Sequence, residues 1–94
     1  MSNVIDDDVS ARVSGTGELT MYTTSWCGFC NRLKTGLKGL GLKWQEVDIE
    51  LNPDAAEFVG SVNDGDHTVP TLLFADGTTA TNPSLAEVKA KLGL

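Results

Sequence analysis

The sequence lacks long apolar runs and a surplus of basic residues, and it has only one histidine and two cysteines. No stretch approaches the roughly 18 apolar residues of a membrane-spanning helix, and the acidic N-terminal segment lacks the apolar core of a secretory signal. We therefore expect a cytoplasmic protein without membrane contact. The net charge of −6 argues against nucleic-acid binding, which rewards basic surfaces. At 94 residues the chain supports a single small core.

Both cysteines fall in one tetrapeptide, from Cys27 to Cys30. In a reducing cytosol such a pair indicates metal binding or redox catalysis rather than a lasting structural crosslink. A closed zinc site needs four ligands, and only His67 remains as a further soft ligand, so zinc binding is a less favoured alternative, as are two unrelated core cysteines. No Asp or Glu occurs between Leu19 and Gln45, so the cysteines lie in a basic part of an acidic chain.

Hydrophobic periodicity predicts strands alternating with helices over residues 18–94, after a flexible extension of residues 1–17 that has no periodicity. Strands are expected at 18–24, 43–49, 71–75 and 78–81, and helices at 28–40, 52–62 and 82–92. The first strand, helix and strand imply a parallel pair, and Asp76-Gly77 predicts a hairpin. The expected fold class is therefore α/β, with a small mixed sheet of four strands, one parallel pair and one antiparallel hairpin, flanked by about three helices.

Apolar residues at helical spacing predict the buried faces of the first two helices. Asn52 and Pro53 are expected to open the second helix as N-cap and first helical residue, and Asn82-Pro83 repeats this opening before the third helix. The expected stripes are Cys30, Leu33, Leu37 and Leu40 in the first helix, and Ala55, Phe58, Val59 and Val62 in the second.

The spacing of Cys27 and Cys30 suits a reversible disulfide at a helix N-terminus. Positions i and i+3 of a first helical turn lie near the Cα separation of about 5.5 Å that a disulfide needs. At the junction between strand and helix, unpaired N–H groups favour the thiolate, so the pKa of Cys27 should lie below about 8.5. We expect Cys27 to be the nucleophile and Cys30 the resolving thiol. Trp26 would shield one side of Cys27, and Gly28 would let a partner's backbone approach.

The segments "YTTSWCGFC" and "TVP", the latter ahead of "TLLFADG", resemble the thioredoxin superfamily and, in length and element order, its glutaredoxin branch. Together with "VDIE", "AAEFVGSVN" and "TNPS", they are most similar to the mycoredoxins, glutaredoxin-like proteins that use mycothiol as their small thiol. The similarity runs from about Glu18 to Leu94. It implies a thioredoxin fold and a cis peptide bond from Val69 to Pro70 that faces the dithiol, with the Val69 backbone offered to an extended substrate.

Departures from ordinary glutaredoxins bear on the identity of the small thiol. Thr24 stands where those proteins usually carry a lysine that binds a carboxylate of glutathione. Residues 81–84 stand where they have two glycines followed by acidic residues that bind the amino group of glutathione. Mycothiol is an uncharged pseudo-disaccharide rich in hydroxyls, which suits hydroxyl and amide side chains better. The resemblance therefore implies these substrate-binding residues: Thr24, Trp26, Gly28, Phe29, Val69, Pro70, Thr81, Asn82 and Ser84.

The resulting hypothesis is a monomeric, cytoplasmic thiol-disulfide oxidoreductase that reduces mixed disulfides between mycothiol and proteins through Cys27. Its partners would be mycothiol, mycothiolated or oxidised proteins, and the mycothiol disulfide reductase system. No metal or bound cofactor is expected, and NADPH would act only through that separate reductase, since the chain has no glycine fingerprint for a nucleotide. One alternative is a dithiol redoxin recharged by thioredoxin reductase, as in the redoxins that serve ribonucleotide reductase. Another is a zinc-binding or adaptor module without redox turnover.

Overall fold

The computed structural model describes residues 19–94, in which three helices accompany one four-stranded sheet. Within this part of the chain, no helix is long and apolar enough to cross a membrane. The extension expected over residues 1–17 lies outside the described residues, as does Glu18. In chain order the elements are β1 (Leu19–Thr23), α1 (Gly28–Gly39), β2 (Gln45–Asp48), α2 (Pro53–Val62), β3 (Thr71–Phe74), β4 (Thr79–Thr81) and α3 (Leu85–Leu92).

The sheet has the strand order β2-β1-β3-β4 and confirms the expected mixed architecture. β1 is parallel to β2, as the helical connection between them requires, and antiparallel to β3. β3 turns back into β4 through the Asp76-Gly77 hairpin, where Gly77 has a φ of 89° that few other residues adopt. The C-terminal ends of β1 and β2 therefore meet the N-terminal end of β3 at one edge of the sheet.

The core lies on one face of the sheet. Alternate residues of β1 and β3 face the same side and pack with apolar residues of α1 and α3; together these are Leu19, Met21, Leu33, Leu37, Leu72, Phe74 and Val88. Full burial of each such side chain stabilises the fold by about 1.5–3 kcal/mol. The stripe predicted for α1 is confirmed at Cys30, Leu33 and Leu37, while Leu40 is only half-buried because it is the C-cap of the helix.

The buried stripe of α2 is narrower than predicted. Val59 is buried as expected, but Val62 is exposed at the end of the helix, and buried Gly60 lies under the His67 ring instead. Asn52 is the N-cap, yet its side chain makes no capping bond and donates through Nδ2 to the Asp48 carbonyl at 2.9 Å. The C-terminal half of α2 thus packs against the loop that follows it, which periodicity alone could not reveal.

The third helix begins at Leu85, so the prediction that it opens at Asn82-Pro83 is wrong. Asn82 has a φ of 48°, a left-handed conformation, whereas the residue that caps a helix N-terminus has an extended backbone. Ser84 caps the helix in a reciprocal capping box, in which Ser84 Oγ accepts from the Glu87 N–H at 3.1 Å and Glu87 Oε1 accepts from the Ser84 N–H at 2.8 Å. The signal for this start is the Ser-x-x-Glu pattern, which the repeated Asn-Pro pair obscures.

We predict that Ser84→Ala lowers the free energy of unfolding by about 1 kcal/mol, because the Glu87 N–H loses its capping acceptor. Urea denaturation of the purified variant measures the change. Ser61→Ala is the matched control, since among residues 19–94 the Ser61 hydroxyl bonds only to the Phe58 carbonyl of its own helix. Equal losses in the two variants would contradict the role of the cap.

Candidate active site

The two cysteines lie in the first turn of α1, directly after the edge where β1 ends. A short turn joins β1 to the helix, and the Cys27 N–H donates to the Thr24 carbonyl across it at 3.3 Å. Cys27 is the N-cap, with an extended backbone, and Cys30 lies one turn inside the helix. Their Cα atoms are 5.2 Å apart and the two residues are paired as a disulfide. The structure therefore brings together the pair that the spacing predicted.

Cys27 occupies the position at which a helix usually places a capping oxygen. Its Sγ accepts the Cys30 backbone N–H at 3.1 Å, and no acidic residue occurs in the first turn of α1. Amide hydrogens and the positive end of the helix dipole stabilise negative charge on a sulfur at this position. Cys30 is fully buried and Cys27 retains 4% exposure, so Cys27 is the more accessible residue of the two. This arrangement supports the prediction that Cys27 is the nucleophile.

The peptide bond from Val69 to Pro70 is cis, as the resemblance implied. The Val69 carbonyl oxygen lies 3.8 Å from Cys27 Sγ, and Pro70 is buried directly before β3. Within residues 19–94, the Val69 N–H and C=O make no hydrogen bond to other backbone groups. This main chain is therefore open to pairing with an extended substrate beside the reactive sulfur.

Two large aromatic side chains near the dithiol are exposed. Trp26 is 70% exposed and its Nε1 donates to Glu50 Oε2 at 2.9 Å. Phe29 is 59% exposed, with the Arg32 guanidinium 5.8 Å from its ring centroid. The shield expected from Trp26 is thus an outward-facing ring that is bonded to the turn after β2. Both rings offer apolar surface to a partner that approaches Cys27.

Of the two threonines predicted to bind substrate, Thr24 is buried and Thr81 is bonded to another side chain of the protein. Thr24 is buried beneath the turn before Cys27, and its Oγ1 has no hydrogen-bond partner in the described part of the chain. The Thr81 hydroxyl donates to Asn63 Oδ1. Asn63 is a residue that sequence reasoning missed, because it follows α2 in a polar loop and its partners are distant in the chain. No local pattern could have identified it.

Phe29, Asn82 and Ser84 line a groove between α1 and the segment that leads into α3, whereas Gly28, the first residue of α1, is not part of that lining. The volume of the groove is about 640 Å³, and its walls include Phe29 and Leu33 from α1 and residues 82–85 from the start of α3. Phe29, Asn82 and Ser84 thus share this groove, whereas Val69 and Pro70 lie at Cys27 itself. The predicted set is therefore divided between the dithiol and an adjacent groove.

Part of the basic face of α1 is neutralised by β2. Lys34 Nζ lies 2.8 Å from Glu46 Oε2 in an ion pair. Burial alone would raise the pKa of Glu46, but hydrogen bonds from Lys34, Trp44 and Thr23 hold it below its ordinary value. Glu46 therefore stays ionised near neutral pH and joins β2 to α1 through its ion pair with Lys34.

Tyr22 lies near the end of β1 and packs within the fold. The Tyr22 ring packs against Phe58 with centroids 5.2 Å apart, and burial raises its pKa, so the phenol stays protonated. Among residues 19–94, no group of three or more His, Cys, Asp or Glu side chains is placed to hold a metal ion.

Comparison with known proteins agrees with this geometry. A family model described as Glutaredoxin matches residues 19–78. A Mycobacterium tuberculosis protein whose name places it among the glutaredoxins is 66% identical over 77 residues, which cover 82% of this chain and 92% of that protein. Mycoredoxin 1 of Corynebacterium glutamicum is 46% identical over 74 residues, 79% of this chain and 91% of its own.

Solved structures show the same fold. The glutaredoxin of Methanosarcina mazei aligns with a TM-score of 0.72 at 27% identity, covering 87% of this chain and 85% of its own. The NrdH-redoxin of Escherichia coli aligns with a TM-score of 0.66 at 19% identity, covering 78% of this chain and 92% of its own. At that identity the second likeness concerns the fold alone.

We predict that in the reduced protein Cys27 reacts with iodoacetamide at mildly acidic pH about tenfold or more faster than Cys30. A thiol whose pKa is one unit lower holds about ten times more thiolate there, and Cys30 is also buried. Mass spectrometry of the two labelled cysteines measures the rates. The urea-unfolded protein is the control, because both thiols should then react alike. Equal labelling in the folded protein at every pH would contradict the asymmetry.

Proposed function

Since the chain belongs to the glutaredoxin family, we propose that this thiol-disulfide oxidoreductase reduces mixed disulfides between mycothiol and proteins through Cys27. The observation that carries the proposal is the Cys30 N–H directed at Cys27 Sγ over 3.1 Å, at a helix N-terminus without acidic residues. The 46% identity to Mycoredoxin 1 supports mycothiol as the small thiol.

The proposed cycle uses Cys27 first as nucleophile and then as leaving group. The Cys27 thiolate attacks the mycothiol sulfur of a mycothiolated protein, the S–S bond breaks, and the protein thiolate leaves with the electron pair. A second mycothiol then attacks the sulfur bound to Cys27, which yields mycothiol disulfide and frees the Cys27 thiolate. Because the Cys30 N–H stabilises that thiolate, it favours release in the second step. A separate mycothiol disulfide reductase with NADPH would regenerate mycothiol.

The hydroxyl and amide groups of the groove, which lie beside the charged Arg32 and Glu87, support mycothiol as the small thiol. Asn82 and Ser84 present amide and hydroxyl groups at the start of α3, and the Glu87 carboxylate beside them accepts the Ser84 N–H. Thr24, at the position where glutaredoxins usually carry a lysine, is buried and uncharged. We therefore place the hydroxyl-rich part of mycothiol along Asn82 and Ser84.

The proposed cycle needs a reducing compartment, so we assign the protein to the cytoplasm. The cycle requires only one copy of the chain.

A second candidate function follows from the pairing of the two cysteines. With Cα atoms 5.2 Å apart, Cys30 can attack a disulfide on Cys27 and close the internal bond. A redoxin that works through this dithiol would be recharged by thioredoxin reductase and would need no mycothiol. The two functions differ in whether Cys30 is required.

We predict that Cys30→Ser retains or exceeds the wild-type activity when mycothiol, its reductase and NADPH reduce a mycothiolated protein. Cys30 is not needed for exchange with mycothiol, and its removal prevents the side reaction that closes the internal disulfide. Cys27→Ser should lose essentially all activity, because a serine hydroxyl is not ionised at neutral pH. NADPH consumption measures both variants.

The matched control replaces mycothiol and its reductase by glutathione and glutathione reductase, which should give much weaker turnover. If Cys30→Ser were as inactive as Cys27→Ser with mycothiol, while the wild type accepted electrons from thioredoxin reductase, the dithiol function would replace the one proposed.

A further inference from the structure

Asn63 lies between the two segments that border the dithiol. It is the C-cap of α2, where its N–H donates to the Gly60 carbonyl at 3.2 Å and its own carbonyl accepts from the Asp66 N–H at 3.0 Å. Its backbone is thus held on both sides. Its side chain is partly buried and reaches the start of β3 and the end of β4.

One arm of the Asn63 amide holds the loop that contains the cis peptide bond. Asn63 Nδ2 donates to Thr71 Oγ1 at 3.2 Å, and the Thr71 hydroxyl donates in turn to the Thr68 carbonyl at 2.8 Å. Thr71 is fully buried, so water cannot substitute for these bonds. The carbonyl that is fixed in this way belongs to the residue directly before Val69.

The other arm holds the end of β4. Asn63 Oδ1 accepts the Thr81 hydroxyl, and the next residue, Asn82, donates its backbone N–H to the Pro70 carbonyl at 2.7 Å. The segment that leads into the groove is therefore tied to the cis loop twice, once through Asn63 and once directly.

The protons of this network have only one consistent arrangement. The Thr71 hydroxyl gives its proton to the Thr68 carbonyl, so it must accept from Asn63 and needs the amide nitrogen there. The amide oxygen then faces Thr81, whose hydroxyl proton it accepts. An aspartate at position 63 could satisfy the second contact but not the first.

From this network we infer that Asn63 is a positioning residue, which holds the Val69 main chain in register with Cys27 so that it can pair with an extended peptide substrate. The Val69 carbonyl lies 3.8 Å from Cys27 Sγ and has no other backbone partner among residues 19–94. A small shift of the Thr68 carbonyl would move the Val69 main chain relative to Cys27 Sγ. The inference rests on thiol-disulfide exchange at Cys27 and not on which small thiol completes the cycle.

The test is a single exchange step in the Cys30→Ser background, which stops the reaction at a Cys27–peptide disulfide. The probe is an uncharged synthetic peptide whose cysteine is in mixed disulfide with thionitrobenzoate. Cys27 attacks the peptide sulfur, the S–S bond breaks, and thionitrobenzoate leaves as a coloured thiolate with the electron pair. Because thionitrobenzoate is the better leaving group, its release reports this step. The dependence of the rate on peptide concentration separates binding from chemistry.

We predict that Asn63→Asp raises the half-saturating peptide concentration about tenfold and leaves the limiting rate unchanged. A change of about tenfold corresponds to the loss of one hydrogen bond between the peptide and the Val69 main chain. The carboxylate has no proton for Thr71, so the Thr71 hydroxyl turns towards it and releases the Thr68 carbonyl. The reaction with the symmetrical disulfide of thionitrobenzoate should not change, because that reagent has no peptide main chain to pair.

Three further variants separate positioning from stability. Thr71→Val should reproduce the defect of Asn63→Asp, and Thr71→Ser should restore peptide binding because it keeps the hydroxyl. Asn52→Asp is the matched control, since it makes the same chemical change on the same helix and loses a single bond to the Asp48 carbonyl. Peptide binding as tight in Asn63→Asp and Thr71→Val as in the parent protein would overturn the inference. A defect in Thr71→Ser equal to that of Thr71→Val would overturn it as well.

Discussion

The N-terminal end of α1 acting on Cys27 Sγ is the interaction from which the chemistry of this protein follows. The sulfur replaces a capping oxygen, and it receives the Cys30 N–H while the helix dipole points its positive end towards it. The position exists because β1 ends directly before α1 and the parallel pairing of β1 with β2 requires that helix as its crossover. The fold thus places Cys27 at the N-terminus of α1 and buries Cys30 one turn further along the helix.

The rest of the site is arranged around that sulfur by segments that come from the other half of the chain. The antiparallel pairing of β3 with β1 brings the loop before β3 to the same edge, and the Val69 carbonyl arrives beside Cys27. β4 then returns the chain to the start of α3, where the groove opens beside Phe29. A polar side chain at position 63 connects the two segments. Main-chain geometry near the sulfur therefore depends on a residue that does not touch it.

Local signals account for the elements that could be predicted from the residues alone, whereas the cis peptide bond before Pro70 was implied by the family resemblance. The position of Cys27 between a strand and a helix, the Asp76-Gly77 turn and the stripe from Cys30 to Leu37 are short-range patterns, and the structure confirms each of them. The exposure of Val62 and the contacts of Asn63 depend on residues packed from elsewhere in the chain. Asn63 bonds to side chains 8 and 18 residues away, so no periodicity indicates them. The late start of α3 was encoded locally, in the Ser84-to-Glu87 capping box.

The central claim is that Cys27 takes up mycothiol, and intact-mass spectrometry under competition tests it most directly. Reduced Cys30→Ser and Cys27→Ser proteins would each be mixed with equal concentrations of mycothiol disulfide and glutathione disulfide and sampled over time. We expect Cys30→Ser to gain one mycothiol adduct well before any glutathione adduct, and Cys27→Ser to gain neither in the same period. Equal or faster glutathione addition to Cys30→Ser, or mycothiol addition to Cys27→Ser at a comparable rate, would contradict the account.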